Sequence, residues 1–307
     1  MIARYNGTIT VNATQVEDIR PLLHWAVERE NIRVRKAQGA EAPWTSDEIL
    51  ATYRFCNVRR SEDRVSAWLI QNVLTSANID YNLESFLMFS AWCRQINWPP
   101  TIKAVMDEGL YPRKRIDWRR VGKLVDQLSR RGKAWTGAYQ VRAPTKLGQK
   151  KGRFVAEVVV GENFRLVLPE LVAVLSRSDS TYQEAHKIVM SANGYGSFMA
   201  GQIAGDWTYT PLLSDASDLK TWAPMGPGSV RGFNRVMGIT PITKKPSEEL
   251  WLERLQSWRA AVIQELGLQY EDLDLLSTQN ILCEVDKYLR VQSGQGRPRA
   301  KYHSHDY

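Results

Sequence analysis

Apolar side chains recur through most of this chain at the spacing that lays one stripe along an α-helix. From Val16 to Ile32 the stripe is Ile19, Leu22, Leu23, Trp25, Ala26 and Ile32, and the far end of that helix is charged: Glu28, Arg29, Glu30, Arg33, Arg35 and Lys36. A loop with Gly39 and Pro43 follows. Thr45 or Ser46 then caps a helix through Ile49, Leu50 and Tyr53. Two amphipathic helices are predicted over Ser66–Ile79 and Leu83–Ile96, with Phe86, Phe89, Trp92 and Trp98 in the core. Pro99-Pro100 breaks the pattern before a further helix, Thr101–Glu108. Val121, Leu124, Val125 and Leu128 mark another, ending at Arg130-Arg131-Gly132. Phe154–Val160 is rich in Val and fits either strand or helix, and Leu166–Leu175 is apolar enough for a buried helix.

The next stretch is a helical hairpin. Tyr182–Met190 forms the first helix, Asn193-Gly194-Tyr195-Gly196 the turn, and Phe198–Ile203 the start of the second. In Trp222–Gly238 proline and glycine alternate so densely that a shaped loop is expected rather than a helix. Ser247 caps a final long helix with Leu250, Trp251, Leu255 and Trp258 on one face. Beyond it, Glu284, Lys287 and Tyr288 fall one turn apart and share a face. The pattern predicts an all-α protein: one unit of 307 residues with two lobes, about 15–135 and 165–290, a basic loop at 143–153 and a basic tail at 291–307. A short β or irregular insertion around 135–165 remains open.

Charge narrows the function classes. The net charge is +8 and the pI about 9.4, a balance suited to a polyanionic partner. Cys56, Cys93 and Cys283 are widely separated with no C-x-x-C pair, which supports neither a zinc ribbon nor a disulfide framework and fits a reduced, intracellular compartment. No signal-peptide layout or membrane-length apolar run occurs, so no membrane partner is expected. Neither cofactor nor metal is called for; His303 and His305 belong to an unstructured end.

Several clusters carry candidate chemistry. In Y-R-F-C-N-V-R-R-S-E-D-R-V, Arg54, Arg59, Arg60 and Arg64 crowd around Asn57, and Glu62 and Asp63 are placed to hold their forks. Interleaved Tyr53, Phe55, Cys56 and Val58 predict a partly buried cluster of fixed geometry. Gly194, Tyr195, Gly196 and Ser197 place a helix start where a DNA backbone phosphate can bind. Gly226, Gly228 and Ser229 offer backbone N–H groups, with Arg231 and Arg235 adding charge. G-x-x-x-x-G-K-[ST] is absent, which argues against ATP chemistry here. The basic run R-K-R-I-D-W-R-R, Arg113–Arg120, is either a solubilising face or a backbone contact.

Together, the runs Y-R-F-C-N-V-R-R-S-E-D-R-V, G-Y-G-S-F-M-A-G-Q-I, W-A-P-M-G-P-G-S-V-R-G and L-C-E-V-D-K-Y-L-R resemble the alpha-glutamyl/putrescinyl thymine pyrophosphorylase family of phages. That family is related to the helical domain of 5-hydroxymethyluracil DNA kinases. The likeness spans roughly residues 15–302. It implies a helix-hairpin-helix DNA glycosylase-like fold and a role in thymidine hypermodification in the host cytoplasm. The implied activity is a transferase that replaces the phosphate of 5-phosphomethyl-2'-deoxyuridine in double-stranded DNA with an amine, such as glycine, serine or putrescine. A DNA kinase would work alongside it. Glycosylases of that fold carry an aspartate downstream of the hairpin; Asp215 and Asp218 lie in that window and Asp206 ends the second hairpin helix. Asp218 is favoured, though a structural N-cap role fits it equally.

Such chemistry needs the base out of the stack. Trp222 is expected to stack on it, and Arg59, Arg60, Arg64 or the N–H groups of Gly226–Ser229 to stabilise the leaving phosphate. Asp218 or Glu284 is the candidate base, with Lys287 binding an amino-acid carboxylate and Tyr288 beside it. A base-excising glycosylase and a non-catalytic DNA-binding module are the alternatives.

Overall fold

The computed structural model describes residues 17–136, 150–296, 298 and 301. The N-terminal arm, most of the basic loop 143–153, and Arg297, Arg299, His303 and His305 of the tail lie outside the described residues. In chain order the helices are α1 (Arg20–Ala37), α2 (Glu48–Thr52), α3 (Arg64–Asn72), α4 (Ser76–Tyr81), α5 (Leu83–Ile96), α6 (Pro99–Asp107), α7 (Trp118–Arg131), α8 (Lys151–Arg153), α9 (Arg165–Leu175), α10 (Tyr182–Ser191), α11 (Ser197–Trp207), α12 (Pro227–Val236), α13 (Glu248–Leu266) and α14 (Leu275–Gln292). The fold is all-α. Among the described residues the one extended pairing is an isolated antiparallel bridge between Tyr53 and Lys301.

The chain divides into two compact units: Met1–Glu62 with Lys220–Tyr307, and Asp63–Leu219. This differs from two successive lobes. The reason is that α1 buries Leu22, Trp25, Ala26 and Ile32 in one apolar cluster with residues of α12, α13 and α14, so the two ends of the chain share a core. Phe233 stands at its centre, 5.3 Å from the ring of Trp251 and 5.0 Å from that of Trp258. Both indole N–H groups are satisfied: Trp251 donates to Ala223 O at 2.9 Å and Trp258 to Glu17 Oε1 at 2.6 Å. Ser247 caps α13 as expected, through Leu250 N–H. At α2 the cap is Asp47, not Thr45 or Ser46; Thr45 Oγ1 instead accepts the Asp47 N–H.

The stretch expected to be a shaped loop contains a helix. Gly226 and Pro227 are start signals that outweigh the glycines, since Pro at the first helical position gives up no bond. Glycine inside a helix costs about 1 kcal/mol relative to alanine. Here it is required: a Cβ on Gly232 would sit 2.0 Å from Leu282 O, so α12 and α14 touch backbone to backbone.

In the second unit α5 is buried on every side from Ser85 to Ile96. Its Arg94 therefore needs a full complement of acceptors. It donates to Asp206 Oδ2 at 2.7 Å and Oδ1 at 2.5 Å, to Asn97 Oδ1 at 3.1 Å and to Ser66 Oγ at 3.3 Å. The helix expected over Ser66–Ile79 is broken into α3 and α4 around Val73. Phe154–Phe164, left open between strand and helix, is a π-helix that continues α8 into α9. Its wide turns put the pairs Val155–Ala156 and Val159–Val160, then Phe164, in the core. The α10–α11 hairpin forms as expected, with Gly194 at φ +91, a left-handed position that only glycine takes freely.

Gly232→Ala should lower stability by about 3 kcal/mol, the upper end of overpacking penalties, measured by denaturant unfolding. Gly228→Ala should cost clearly less, because its Cβ would meet only Cys283 Sγ at 3.2 Å.

Candidate functional site

In the first unit the extended chain after α2 lies along α14, and this brings the arginine-rich run to Glu284, Lys287 and Tyr288. Glu284 Oε2 accepts the Cys56 N–H at 3.0 Å and lies 2.5 Å from Lys287 Nζ. Lys287 also donates to Arg54 O at 2.8 Å and sits 4.4 Å from the Phe55 ring centroid. Two acceptors and an aromatic face thus engage its ammonium, leaving Glu284 Oε1 outside these bonds. Asn57 is a brace: its Oδ1 accepts from Arg29 at 2.5 Å and its Nδ2 donates to Glu62 O at 2.6 Å. Arg29 Nε donates to Cys56 O at 3.0 Å.

Tyr288 donates to Asp47 Oδ2 at 2.7 Å, and His24 Nε2 lies 3.1 Å from the same oxygen. Burial pushes the Tyr288 phenol well above its usual range, and the bond to Asp47 adds to this. Burial also tends to raise the Asp47 carboxyl, but the N–H of Leu50, Tyr288, His24 and the N–H of Ile49 together hold it below the usual value.

Arg29, Lys36 and Arg54 form a cationic group beside this cluster. Lys36 lies 4.4 Å from the Trp44 ring centroid. Burial, then repulsion from Arg29 and Arg54, pushes its ammonium down to about 8. A group whose positive charge is disfavoured in this way is one that an oxyanion relieves. Arg54 was anticipated from the sequence. Arg29 and Lys36 stood out only as part of the charged end of α1, a pattern that marks a solvated helix face more often than a site.

Arg59 and Arg60 are placed differently from expectation. Arg59 binds Asp272 at 2.9 Å and Gln269 O, and packs 4.1 Å from the Tyr270 ring centroid, so it anchors the chain before α14. Arg60 is buried, its N–H donating to Ser277 Oγ at 3.2 Å and its charge lying near Asp274. Trp222 is 8 % exposed and donates to Glu248 Oε1 at 3.2 Å; its ring is not a free stacking platform.

Where α12 meets α14 a second polar set lines up. Ser229 Oγ accepts the Gly226 N–H at 3.0 Å and Gln279 Nε2 at 2.6 Å. Cys283 Sγ lies beside Gly228, and burial pushes its thiol up to about 12, which keeps it protonated. Arg231 and Arg235 both bind Asp286, each at 3.0 Å.

The second unit holds the remaining candidates. Asp206 is 0 % exposed and is the partner of Arg94, a core ion pair rather than a base open to substrate. Asp218 accepts the N–H groups of Tyr182 at 2.9 Å and Gln183 at 2.8 Å, so it takes up the N-terminus of α10, the structural role weighed for it. The Thr181–Glu184 capping box closes the same turn. Tyr195 is 5 % exposed, accepting from Gln95 at 2.7 Å and donating to Val159 O at 3.3 Å; its side chain belongs to the core, not to a DNA-gripping tip. Gly194 and Gly196 are exposed and Ser197 is half-buried. Arg64 is exposed at the start of α3, with its guanidinium 5.7 Å from the Trp98 ring centroid. Arg113, Lys114, Arg115, Arg119, Arg120, Lys123, Arg130 and Arg131, on and before α7, are all exposed and give this unit a basic face.

Among the described residues no cluster of His, Cys, Asp and Glu could hold a metal, and no helix is long and apolar enough to cross a membrane. Fold and site together define an all-α protein whose chain ends close over a cationic cluster and an oriented carboxylate. Residues 17–297 match the family described as the helical domain of 5-hmdU DNA kinase, and the chain belongs to that family. It is 24 % identical over 284 residues to the 5-hmdU DNA kinase of Bacillus phage SP10, a match covering 85 % of this chain and 43 % of the kinase. The chain therefore corresponds to less than half the length of that relative. No solved structure matches it.

Two outcomes are expected. The Lys36 ammonium is charged below pH 8 and neutral above it, and a bound oxyanion favours the charged form. Affinity for inorganic phosphate should therefore fall as pH rises through about 8, and Lys36→Met should remove that step; titration calorimetry across pH measures both. By the same linkage, the depressed value means folding is disfavoured by protonated Lys36 and gains stability as pH rises from about 8 towards 10.5. Asp218→Ala should lower stability by about 1–2 kcal/mol through the exposed start of α10, read by thermal unfolding.

Proposed function

We propose that this protein is an amine:DNA transferase of thymidine hypermodification, replacing the phosphate of 5-phosphomethyl-2'-deoxyuridine in double-stranded DNA. The observation that carries this is the pairing on one unit of a repelled cation group, Arg29, Lys36 and Arg54, with a carboxylate, Glu284, held in orientation by Lys287 and the Cys56 N–H. Membership of a family named for the helical domain of a 5-hmdU DNA kinase supplies the context of a modified deoxyuridine.

The chemistry follows from charge. The base leaves the stack so that its methylene is reachable. The amine lone pair forms the C–N bond while the C–O bond breaks and its electron pair departs with the phosphate. Arg29, Lys36 and Arg54 stabilise that departing charge, and Glu284 takes the proton the amine sheds. The exposed glycines of the α10–α11 turn and the basic face along α7 hold the DNA backbone, consistent with a helix-hairpin-helix glycosylase-like arrangement. A kinase acting earlier supplies the phosphomethyl group.

A second reading is favoured by one observation: the match covers 43 % of the kinase, so the chain corresponds to one part of a larger enzyme. On that reading it is a DNA-recognition module without chemistry of its own.

Nucleoside mass spectrometry separates these readings. DNA carrying 5-phosphomethyluracil, incubated with the protein and a panel of amines, should yield an amine-bearing nucleoside. Binding without any change in nucleoside mass would establish the module, and released free base a glycosylase. Glu284→Gln should slow product formation by about 10²-fold or more with DNA binding retained, as loss of a positioned base does. Turnover at the wild-type rate would take Glu284 out of the reaction.

A further inference from the structure

An amino-acid donor needs a cation for its carboxylate, and Lys287 is already committed: Glu284 at 2.5 Å, Arg54 O at 2.8 Å and the Phe55 ring take up its ammonium. The neighbouring face of α14 supplies a different group. Cys283, Asp286 and Arg290 line up along that face, opposite Gly228, Arg231 and Arg235 of α12. Arg231 Nε and Nη2 each lie 3.0 Å from Asp286 Oδ2, Arg235 Nε lies 3.0 Å from Oδ1, and Arg290 Nε lies 3.4 Å from Oδ2. Asp286 is 1 % exposed and fixed in place, whereas the side chains of Arg231 and Arg290 are 31 % and 37 % exposed at the open edge. Three guanidinium groups against one carboxylate leave a formal excess of two positive charges.

An acceptor completes the set. Gln279 is buried and gives its Nε2 to Ser229 Oγ at 2.6 Å, while its Oε1 has no hydrogen-bond partner. It stands one turn before Cys283. The Cys283 Sγ lies 3.2 Å, and Arg231 Nη2 3.8 Å, from the point a Cβ on Gly228 would occupy. The guanidinium forks and the unpaired acceptor therefore border one spot at the start of α12, kept open by the missing side chain of Gly228.

We infer that Arg231, Arg235 and Arg290, gathered on Asp286, seat the carboxylate of a small α-amino acid whose ammonium group is directed to Gln279 Oε1. A zwitterion satisfies both sides of the set. A diamine brings no anion to the guanidiniums, and a DNA phosphodiester brings no donor to the acceptor. Arginine forks match carboxylates through paired bonds, which a lone ammonium does not. This assignment rests on the transferase reading for the fate of the amino acid, but the seat itself is a binding site and is tested by binding.

The experiment titrates the full chain with glycine, glycinamide, putrescine and inorganic phosphate, followed by calorimetry and by the carbon-13 shift of labelled glycine. Glycine should bind saturably, and glycinamide and putrescine at least about 10-fold more weakly, since they lack the carboxylate. Arg231→Met and Arg235→Met should each weaken glycine about 10- to 100-fold, and Lys287→Met should not. Should either arginine variant fail to fold, the comparison of glycine with glycinamide on the wild-type chain decides alone. Equal binding of those two, no glycine binding at all, or glycine lost with Lys287→Met and kept with Arg231→Met would each overturn the seat. Inorganic phosphate that displaces glycine and is itself lost in Arg231→Met would reassign it to phosphate and likewise overturn the proposal. Glycine bound through Arg231 with no amine ever transferred would keep the seat and remove the transferase reading. Product formed equally from glycine and glycinamide would do the reverse.

Discussion

The backbone contact between α12 and α14 at Gly232 and Leu282 is the constraint on which the first unit depends. Two helices approach this closely only where one carries no side chain at the crossing. The consequence is chemical as well as mechanical. It sets Ser229 and Arg231 of one helix against Gln279, Cys283 and Asp286 of the other, at distances that side chains between the helices would otherwise forbid. It also fixes the rotation of α14, which directs Glu284, Lys287 and Tyr288 to the extended run after α2. Phe233, next to Gly232, locks the same register by packing between Trp251 and Trp258. One glycine thus determines which face of α14 each polar residue occupies.

Much of this was legible in the chain, and the gaps have identifiable causes. The helical class, the α10–α11 hairpin, the Ser247 cap and the shared face of Glu284, Lys287 and Tyr288 follow from periodicity and capping, which are local properties. The helix over Pro227–Val236 was hidden because glycine density reads as a loop, whereas here the glycines answer to a partner helix far along the sequence. The division into units was hidden for a related reason: the break in pattern near 135–165 marks a connection, while α1 joins the C-terminal helices through buried Trp25 and its neighbours. The π-helix was hidden because its valine-rich stretch repeats at neither helical nor strand spacing. Among site residues, the arginine-rich run was found as a run, but its members have different roles. Arg54 belongs to the repelled cation group, Arg59 anchors the chain before α14, and Arg60 is buried. Composition alone does not distinguish these roles.

What distinguishes them is the ratio of charges within each cluster. Arg94 and Asp206 meet one to one, bidentate and fully buried, with Ser66 and Asn97 completing the donors. Such a pair is neutral as a unit, and breaking it would cost about 3–5 kcal/mol by stranding a charge. It has nothing left to offer a ligand. Arg29, Lys36 and Arg54 show the opposite sign of interaction, since each disfavours the charge of Lys36. The arginines around Asp286 lie between these limits, held by one carboxylate but not neutralised by it. Folding tolerates an excess of like charge only where solvent screens it, which is why Arg231 and Arg290 keep an exposed edge while Asp286 does not. An anion arriving at that edge finds the guanidiniums already oriented, so less of its binding energy is lost to ordering side chains. On this argument the balanced pair is structural and the unbalanced clusters are where an anionic ligand gains most.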